Sequence, residues 1–221
     1  MVISPDNRDS GKSGKSNANY HITDMADDMA CLIRDLNIAP TNIIGVSMGS
    51  FIAQHLYLRH KEYVKKLILV SSTAGGKSHI YPDPEAAKVL YKTPDESQES
   101  YLRRLQIAVT GPGFADRSPS DIELLVSNAL KFPISQDGYN RQFTAALTHY
   151  NEGTRDRLKE IMIPSLIIHG MEDPLIPFEN GQMPAKEICN ADFIPLKGVG
   201  HLPHIENTDQ FNLNTIEFLR K

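Results

Sequence analysis

The feature that most restricts the fold is a set of short apolar, β-branched runs that are hydrophobic at successive positions, Leu67-Ile68-Leu69-Val70 being the plainest. Neighbouring strand residues point to opposite faces of a sheet, so such a run is at home only where both faces are covered. Five segments read as strands: Val2 to Ser4, Asn42 to Val46, Lys66 to Ser71, Ser165 to His169 and Phe193 to Leu196. Amphipathic stretches lie between them, and this alternation predicts an α/β fold with a mostly parallel sheet covered by helices.

Thr23 is placed to cap a helix in which Met25, Met29, Leu32, Ile33 and Leu36 share one face, with Pro40 beyond its end. A second helix is expected from Met48, where Phe51, Ile52, His55 and Leu56 fall at helical spacing and Lys61, Glu62, Lys65 and Lys66 form a solvated exit. A last helix is expected from about Thr208 to Leu219. Between about Ala74 and Glu160 the strand rhythm stops. Helix-like pieces near Pro84 to Tyr91, Ser97 to Val109, Ser118 to Lys131 and Asp137 to Tyr150 are punctuated by Gly111-Pro112-Gly113 and Phe132-Pro133. The expected organisation is a core of residues 1–73 and 161–221, with 74–160 inserted as a helical cap or lid over the strands' carboxyl ends, where open α/β sheets bind ligands.

Composition narrows the classes of partner. With 221 residues, 40% of them hydrophobic and 23% charged, the chain can bury one sizeable core. A formal charge of -4 supplies no basic field for nucleic acid, which leaves a small molecule as the expected partner. No apolar run is long enough to span a bilayer and the first residues lack a secretory pattern, so neither membrane anchorage nor secretion is expected. Cys31 and Cys189 stand far apart without CxxC or zinc spacing, which favours a reduced, cytoplasmic protein. Oligomeric state is open at this level.

Chemistry is concentrated in Gly45-Val46-Ser47-Met48-Gly49, between a buried strand and a helix. Glycines around the serine permit a tight strand-to-helix turn that lifts its hydroxyl out of the sheet, and the helix start behind it offers N–H groups to an oxyanion. The same pattern could be a turn without chemistry. A serine needs a base to take its proton, and the base needs an orienting acid. Downstream, Asp173 follows a strand in His169-Gly170-Met171-Glu172-Asp173-Pro174, and His201 follows the last one in Gly198-Val199-Gly200-His201. Glu172 is the competing acid. His204 makes a His-x-x-His pair with His201, but no third ligand has metal-site spacing. His55, His60 and His149 read as ordinary helix-face residues. Gly11-Lys12-Ser13-Gly14-Lys15-Ser16 is not a phosphate loop, since the GxxxxGK[ST] spacing needs glycine at position 9, where Asp9 stands.

The order Ser47, Asp173, His201 and the five segments that carry the likeness resemble the α/β-hydrolase superfamily over essentially the whole chain, and within it the ester hydrolases related to aclacinomycin methylesterase. Similar motifs occur in enol-lactonases and non-haem haloperoxidases. Besides the elbow and the acid and histidine loops, Asp6 to Ser13 resembles that family's loop after strand four and Asp24 to Asp28 its helix B. The resemblance implies Ser47 as nucleophile, Asp173 as orienting acid, His201 as general base and the Met48 amide as an oxyanion donor. The chemistry it implies needs no cofactor, and the lack of a third ligand beside His201 and His204 leaves no metal expected.

In that family a further oxyanion donor comes from the loop after strand three, usually a His-Gly segment, and this sequence begins at what matches strand four. The chain therefore reads as an N-terminally truncated product, with a genuine short form as the rival. Strand three separates strands four and five in the family's sheet, so Val2 to Ser4 would lack a pairing neighbour. The expected function is hydrolysis of a small or medium carboxylic ester through an acyl-enzyme. A lactonase, a C–C hydrolase or a perhydrolase would use the same three residues, and a catalytically impaired binding protein or fragment is the alternative outside enzymology. Leu102, Leu105, Phe114, Leu125, Phe143 and Tyr150 of the insertion are candidates for the pocket or for its core.

Overall fold

Four strands, β1 (Thr41–Val46), β2 (Val64–Val70), β3 (Ser165–Gly170) and β4 (Ala191–Leu196), lie side by side in chain order. Every neighbouring pair is parallel in the computed structural model, which describes residues 1–221. Ile68 sits opposite both Ile44 of β1 and Leu166 of β3, and Ile167 opposite Phe193 of β4. Leu67, Ile68, Leu69 and Val70 are wholly shut off from solvent. Leu67, Leu69 and Ile167 enter a core shared with α1 (Ile22–Asp35) and α2 (Met48–Arg59), while Ile68, Val70 and Ile168 enter a second one with Phe211 and Phe218 of α10 (Thr208–Arg220). The unbroken apolar run thus serves two cores, one on each face of the sheet.

β1 is the exposed edge, with Ile44 46% exposed. Beside it lies a mostly apolar groove of about 450 Å³, lined by Met29, Leu32 and Leu36 of α1 and by Ile43 and Ile44. Val2 to Ser4 line this groove too, but they do not form the expected strand. Val2 is 94% exposed and no strand is hydrogen-bonded to these residues, so β propensity has no ladder to act in.

Three local expectations shift for identifiable reasons. α1 begins two residues before Thr23 would have capped it, because the Asp24 carboxylate accepts a hydrogen bond from the His21 N–H at 2.7 Å and makes His21 the cap. β2 begins at Val64, directly after a 3-10 turn at Lys61–Tyr63. Lys66 is therefore not a solvated exit. It is buried, and its Nζ donates to the carbonyls of Phe218 and Leu219 at 2.9 and 3.2 Å, which places a cation on the C-terminal end of α10.

Between β2 and β3 the chain is helical: α3 (Pro84–Ala87), α4 (Gln98–Val109), α5 (Phe114–Arg117), α6 (Pro119–Lys131) and α7 (Gln136–Glu152), then a 3-10 turn at Arg155–Glu160. Ser97 and Ser135 cap α4 and α7, accepting from the N–H groups of Ser100 and Gly138. Phe114, Ile122 and Val126 form a separate small core. α7 is tied to the N-terminal loop by Arg141, whose guanidinium grips the fully buried Asp9 carboxylate at 2.9 and 3.0 Å, and by Gln142 on the Arg8 carbonyl. α8 (Phe178–Glu187) packs on β3 and β4, and α9 (Pro203–Glu206) precedes α10.

The two-core arrangement predicts a contrast between central and edge strands. Ile168→Ala, at a fully buried site, should lower unfolding stability by about 2–5 kcal/mol. Ile44→Ala at the exposed edge should cost less than about 1 kcal/mol in the same urea titration. Equal losses would contradict the account.

Candidate active site

Because the strands run the same way, their C-terminal ends share one edge of the sheet and the loops after them meet there. Ser47 leaves β1 with φ +52° and ψ -124°, a left-handed conformation that costs a non-glycine residue about 1–3 kcal/mol. Its surroundings hold it there. The Ser47 N–H donates to the Val70 carbonyl at 2.9 Å, and its own carbonyl accepts from the Ser50 N–H and hydroxyl at 2.8 and 2.6 Å. Ser50 and Gln54 continue inward to Ser72 and the Thr73 carbonyl, so the turn rests on a buried, hydrogen-bonded network. Met48 opens α2, and its N–H belongs to the first-turn donors that no intrahelical carbonyl can satisfy.

The two glycines of the turn are not equivalent. A Cβ on Gly45 would stand 2.3 Å from the Gly49 carbonyl oxygen, so strand and helix can approach only without it. A Cβ on Gly49 would meet nothing within 4 Å. The second glycine of the motif is therefore not sterically required.

Asp173, in the loop after β3, places its two carboxylate oxygens 2.8 and 3.0 Å from Nδ1 of His201, in the loop after β4. One of those oxygens also accepts from the N–H groups of Leu175 and Ile176, each at 2.9 Å. A carboxylate accepts only, so Nδ1 of His201 carries a proton, and it is in the neutral ring that Nε2 has a free lone pair. Burial pushes the Asp173 carboxyl up, but the His201 charge and the hydrogen bonds from His169 and His201 hold it well below the usual range. For His201, burial disfavours the imidazolium, while the charges of Asp173 and Glu206 outweigh it and raise the ring above 6.5. Both side chains are buried.

Ser47 and His201 are fixed by the same step of β2. Ser47 is hydrogen-bonded to the Val70 carbonyl, and the Ser71 hydroxyl donates to the His201 carbonyl at 2.9 Å. No hydrogen bond joins Ser47 Oγ to His201 in this structure. Glu172 points elsewhere, accepting from the Gly198 N–H at 3.2 Å, so Asp173 is the carboxylate that faces the imidazole. His204 is near His201 with its Nδ1 unpartnered, and no three His, Cys, Asp or Glu side chains are gathered in metal-binding geometry. Cys31 and Cys189 are both free and exposed.

Several residues around the site make contacts that the sequence did not indicate. His169, in β3, is fully buried with Nε2 2.9 Å from the Ile176 carbonyl and 3.4 Å from Asp173, and a Cβ on Gly181 would meet its Nδ1 at 2.2 Å. Glu206 holds three backbone N–H groups of the loops around His201. His149 is not an ordinary helix-face residue. It is buried, stacks on Phe51 with ring centroids 4.4 Å apart, bridges His55 and the Thr73 carbonyl, and is pushed down to about 3 by burial. His55 is likewise lowered to about 4 by burial, whereas His60 sits at the partly exposed Asp27 carboxylate. Of the candidate pocket residues, Phe114 belongs to the small helical core with Leu102 against it. Phe143 stacks on Tyr139, and Tyr150 stacks on His79 and meets Phe51 edge-on.

A parallel sheet with a strained serine turn after one strand and a buried Asp–His pair after two others defines the α/β-hydrolase class. The chain belongs to this family: the family profile for the alpha/beta hydrolase fold matches residues 1–116. Among curated relatives, a 2-hydroxy-6-oxononadienedioate/2-hydroxy-6-oxononatrienedioate hydrolase of Burkholderia vietnamiensis is 28% identical over 200 residues, covering 87% of this chain and 67% of that protein. The 3-oxoadipate enol-lactonase 2 of Acinetobacter baylyi is 26% identical over 216 residues, covering 96% and 76%. Among solved structures, the enol-lactonase from Burkholderia xenovorans LB400 superposes with a TM-score of 0.81 at 23% identity, covering 98% of this chain and 79% of that one. The chain spans about two thirds of the length of the oxononadienedioate hydrolases it matches. No helix is long and apolar enough to cross a membrane.

The inequality of the two glycines is testable by thermal unfolding. Gly45→Ala should strongly destabilise the fold or prevent it. Gly49→Ala, inside a helix with open space around it, should leave stability unchanged or raise it by up to about 1 kcal/mol. Comparable damage from both would contradict the steric account.

Proposed function

We propose that the protein is a serine hydrolase that cleaves a small or medium carboxylic ester through an acyl-enzyme. The observation that carries this reading is the buried Asp173–His201 pair, in which Asp173 engages Nδ1 and so leaves Nε2 of the neutral ring to accept a proton, at the edge of the sheet where the strained turn presents Ser47. Ser47 Oγ would attack the carbonyl carbon while Nε2 takes its proton. The resulting oxyanion would lie at the start of α2, with the Met48 N–H as donor. Collapse breaks the C–O bond, and His201 returns the proton to the departing alcohol. Water, deprotonated by the same nitrogen, then releases the acid. The chemistry needs no cofactor, and the substrate-bearing partner is a small ester-like molecule.

Residues 74–160 would act as the cap over this site. Support comes from the His201 N–H, which donates to the Val109 carbonyl at the end of α4 at 2.8 Å, so the helical segment reaches the loops that carry the site. A second reading has its own support. Several relatives at 27–29% identity are named as 2-hydroxy-6-oxononadienedioate/2-hydroxy-6-oxononatrienedioate hydrolases, which favours a substrate of that class with the same three residues at work. Parallel assays with a short-chain nitrophenyl ester, an enol-lactone and a substrate of that class decide among them.

A fluorophosphonate probe should label the folded protein at Ser47, and Ser47→Ala should remove both labelling and turnover, a loss on the order of 10⁶-fold in related chemistry. A folded protein that is not labelled would overturn the reading. Catalysis also has a defined pH sign. His201 must be neutral to act as base, so kcat/KM should fall with acidification, with a midpoint above 6.5 because Asp173 and Glu206 favour the imidazolium despite burial. Asp173→Asn should move that midpoint down and reduce kcat by about 10³- to 10⁴-fold. An unmoved midpoint would show that His201 is not the titrating base.

A further inference from the structure

Glu206 ends the four-residue helix α9 and turns back over the His201 loop. Its Oε2 accepts from the N–H of Gly200 at 2.9 Å and from the N–H of Gly111 at 2.6 Å, while Oε1 accepts from the N–H of Leu202 at 2.9 Å. Gly200 and Leu202 flank His201. Gly111 lies outside that loop, two residues beyond the end of α4 in the segment between β2 and β3. One carboxylate therefore joins both sides of the base to the helical segment.

The backbones meet at this joint more closely than side chains would allow. A Cβ on Gly111 would stand 2.5 Å from the Gly198 carbonyl oxygen, and a Cβ on Gly200 would stand 2.5 Å from the Gly111 nitrogen. The His201 N–H donates to the Val109 carbonyl across the same contact, and Ile205 of α9 packs against the small core of Phe114, Ile122 and Val126. Three N–H groups on one carboxylate are charge-assisted bonds in a partly buried place, so removing the charge leaves donors without an acceptor.

We propose that Glu206 is a positioning residue that locks the His201 loop to the end of α4, so that the placement of the base and the seating of the helical cap are one structural state. The proposal rests on the serine-hydrolase reading for its catalytic consequence and on geometry alone for the lock. Movement of the cap at Gly111 would release Glu206 from one of its partners and loosen the loop on which His201 stands. The cap would thus govern the base as well as access to it.

The groups that face His201 are few. Asp173 approaches from the loop after β3, Glu206 and His204 from α9, while α4 offers the Val109 carbonyl and the residue after β2 the Ser71 hydroxyl. Burial, and after it the charge of His201, lowers the His204 imidazole below its ordinary value. Asp173 and Glu206 are thus the charges that set the base, and Glu206 acts on it through charge as well as through position.

Glu206→Gln should reduce kcat roughly 10- to 100-fold with KM changed by less than about threefold, because the base is displaced and not the binding surface. The acidic midpoint of kcat/KM should move down, which a loss of packing alone would not do. Gly111→Ala keeps Glu206 and wedges the joint open, and it should reproduce the fall in kcat. In the unaltered protein, hydrogen exchange should show the Gly111, Gly200 and Leu202 amides protected and opening together. The proposal is overturned if folded Glu206→Gln keeps kcat within twofold and the midpoint unmoved, or if those three amides exchange freely or independently. If the unaltered protein neither labels with fluorophosphonate nor turns over any ester, the hydrolase reading fails, and the amide exchange still decides the lock.

Discussion

β2 and β3 run side by side with water excluded from both of their faces, and the positions of Ser47 and His201 depend on that burial. Leu67 to Val70 and Leu166 to Ile168 fill cores above and below the sheet, so neither strand can slide by one residue without exchanging the two sets of side chains. Register fixed in this way sets the height at which the chain leaves each strand. Val70 and Ser71 at the end of β2 are then available as fixed points for Ser47 on one side and His201 on the other. A hydrophobic constraint has become a positional one.

Strain at the serine is offset locally and not by the fold as a whole. The left-handed Ser47 is held by its own N–H and carbonyl, by the Ser50 hydroxyl and by a polar network running through Ser72 and Gln54. Asp173 is stabilised in a different way. It collects two backbone N–H groups and two imidazoles, and these favour the carboxylate strongly enough to overcome its burial. Ser47 is thus held by hydrogen bonds along the backbone, whereas Asp173 is held by a ring of donors.

The central strands, α2, α10 and the serine turn were legible in the sequence because each is dictated by residues close together in the chain. Asp173 and His201 could be singled out because they follow strands that were themselves readable and because the family resemblance selects them. The rest depends on partners remote in sequence. Val2 to Ser4 has strand-like residues but no strand hydrogen-bonded to it. Lys66 looked solvated until α10, about 150 residues away, supplied carbonyls to it. His149 is marked as buried only by Phe51 and the Thr73 carbonyl, and Glu206 only by Gly111 and the loop before it. No periodicity records a backbone N–H that will need an acceptor.

Gly181, on α8, leaves the space that the His169 ring occupies, and that ring stands against Asp173. Any side chain at position 181 would push on the imidazole, and through it on the carboxylate that orients His201. Mutational tolerance at this helix position is therefore set by the alignment of groups elsewhere in the molecule. A substitution that helix propensity alone would favour there, glycine to alanine, would be expected to fail for reasons that belong to the site and not to the helix. In evolutionary terms, drift at position 181 of α8 is bounded by the alignment of His201, a residue two contacts away through His169 and Asp173.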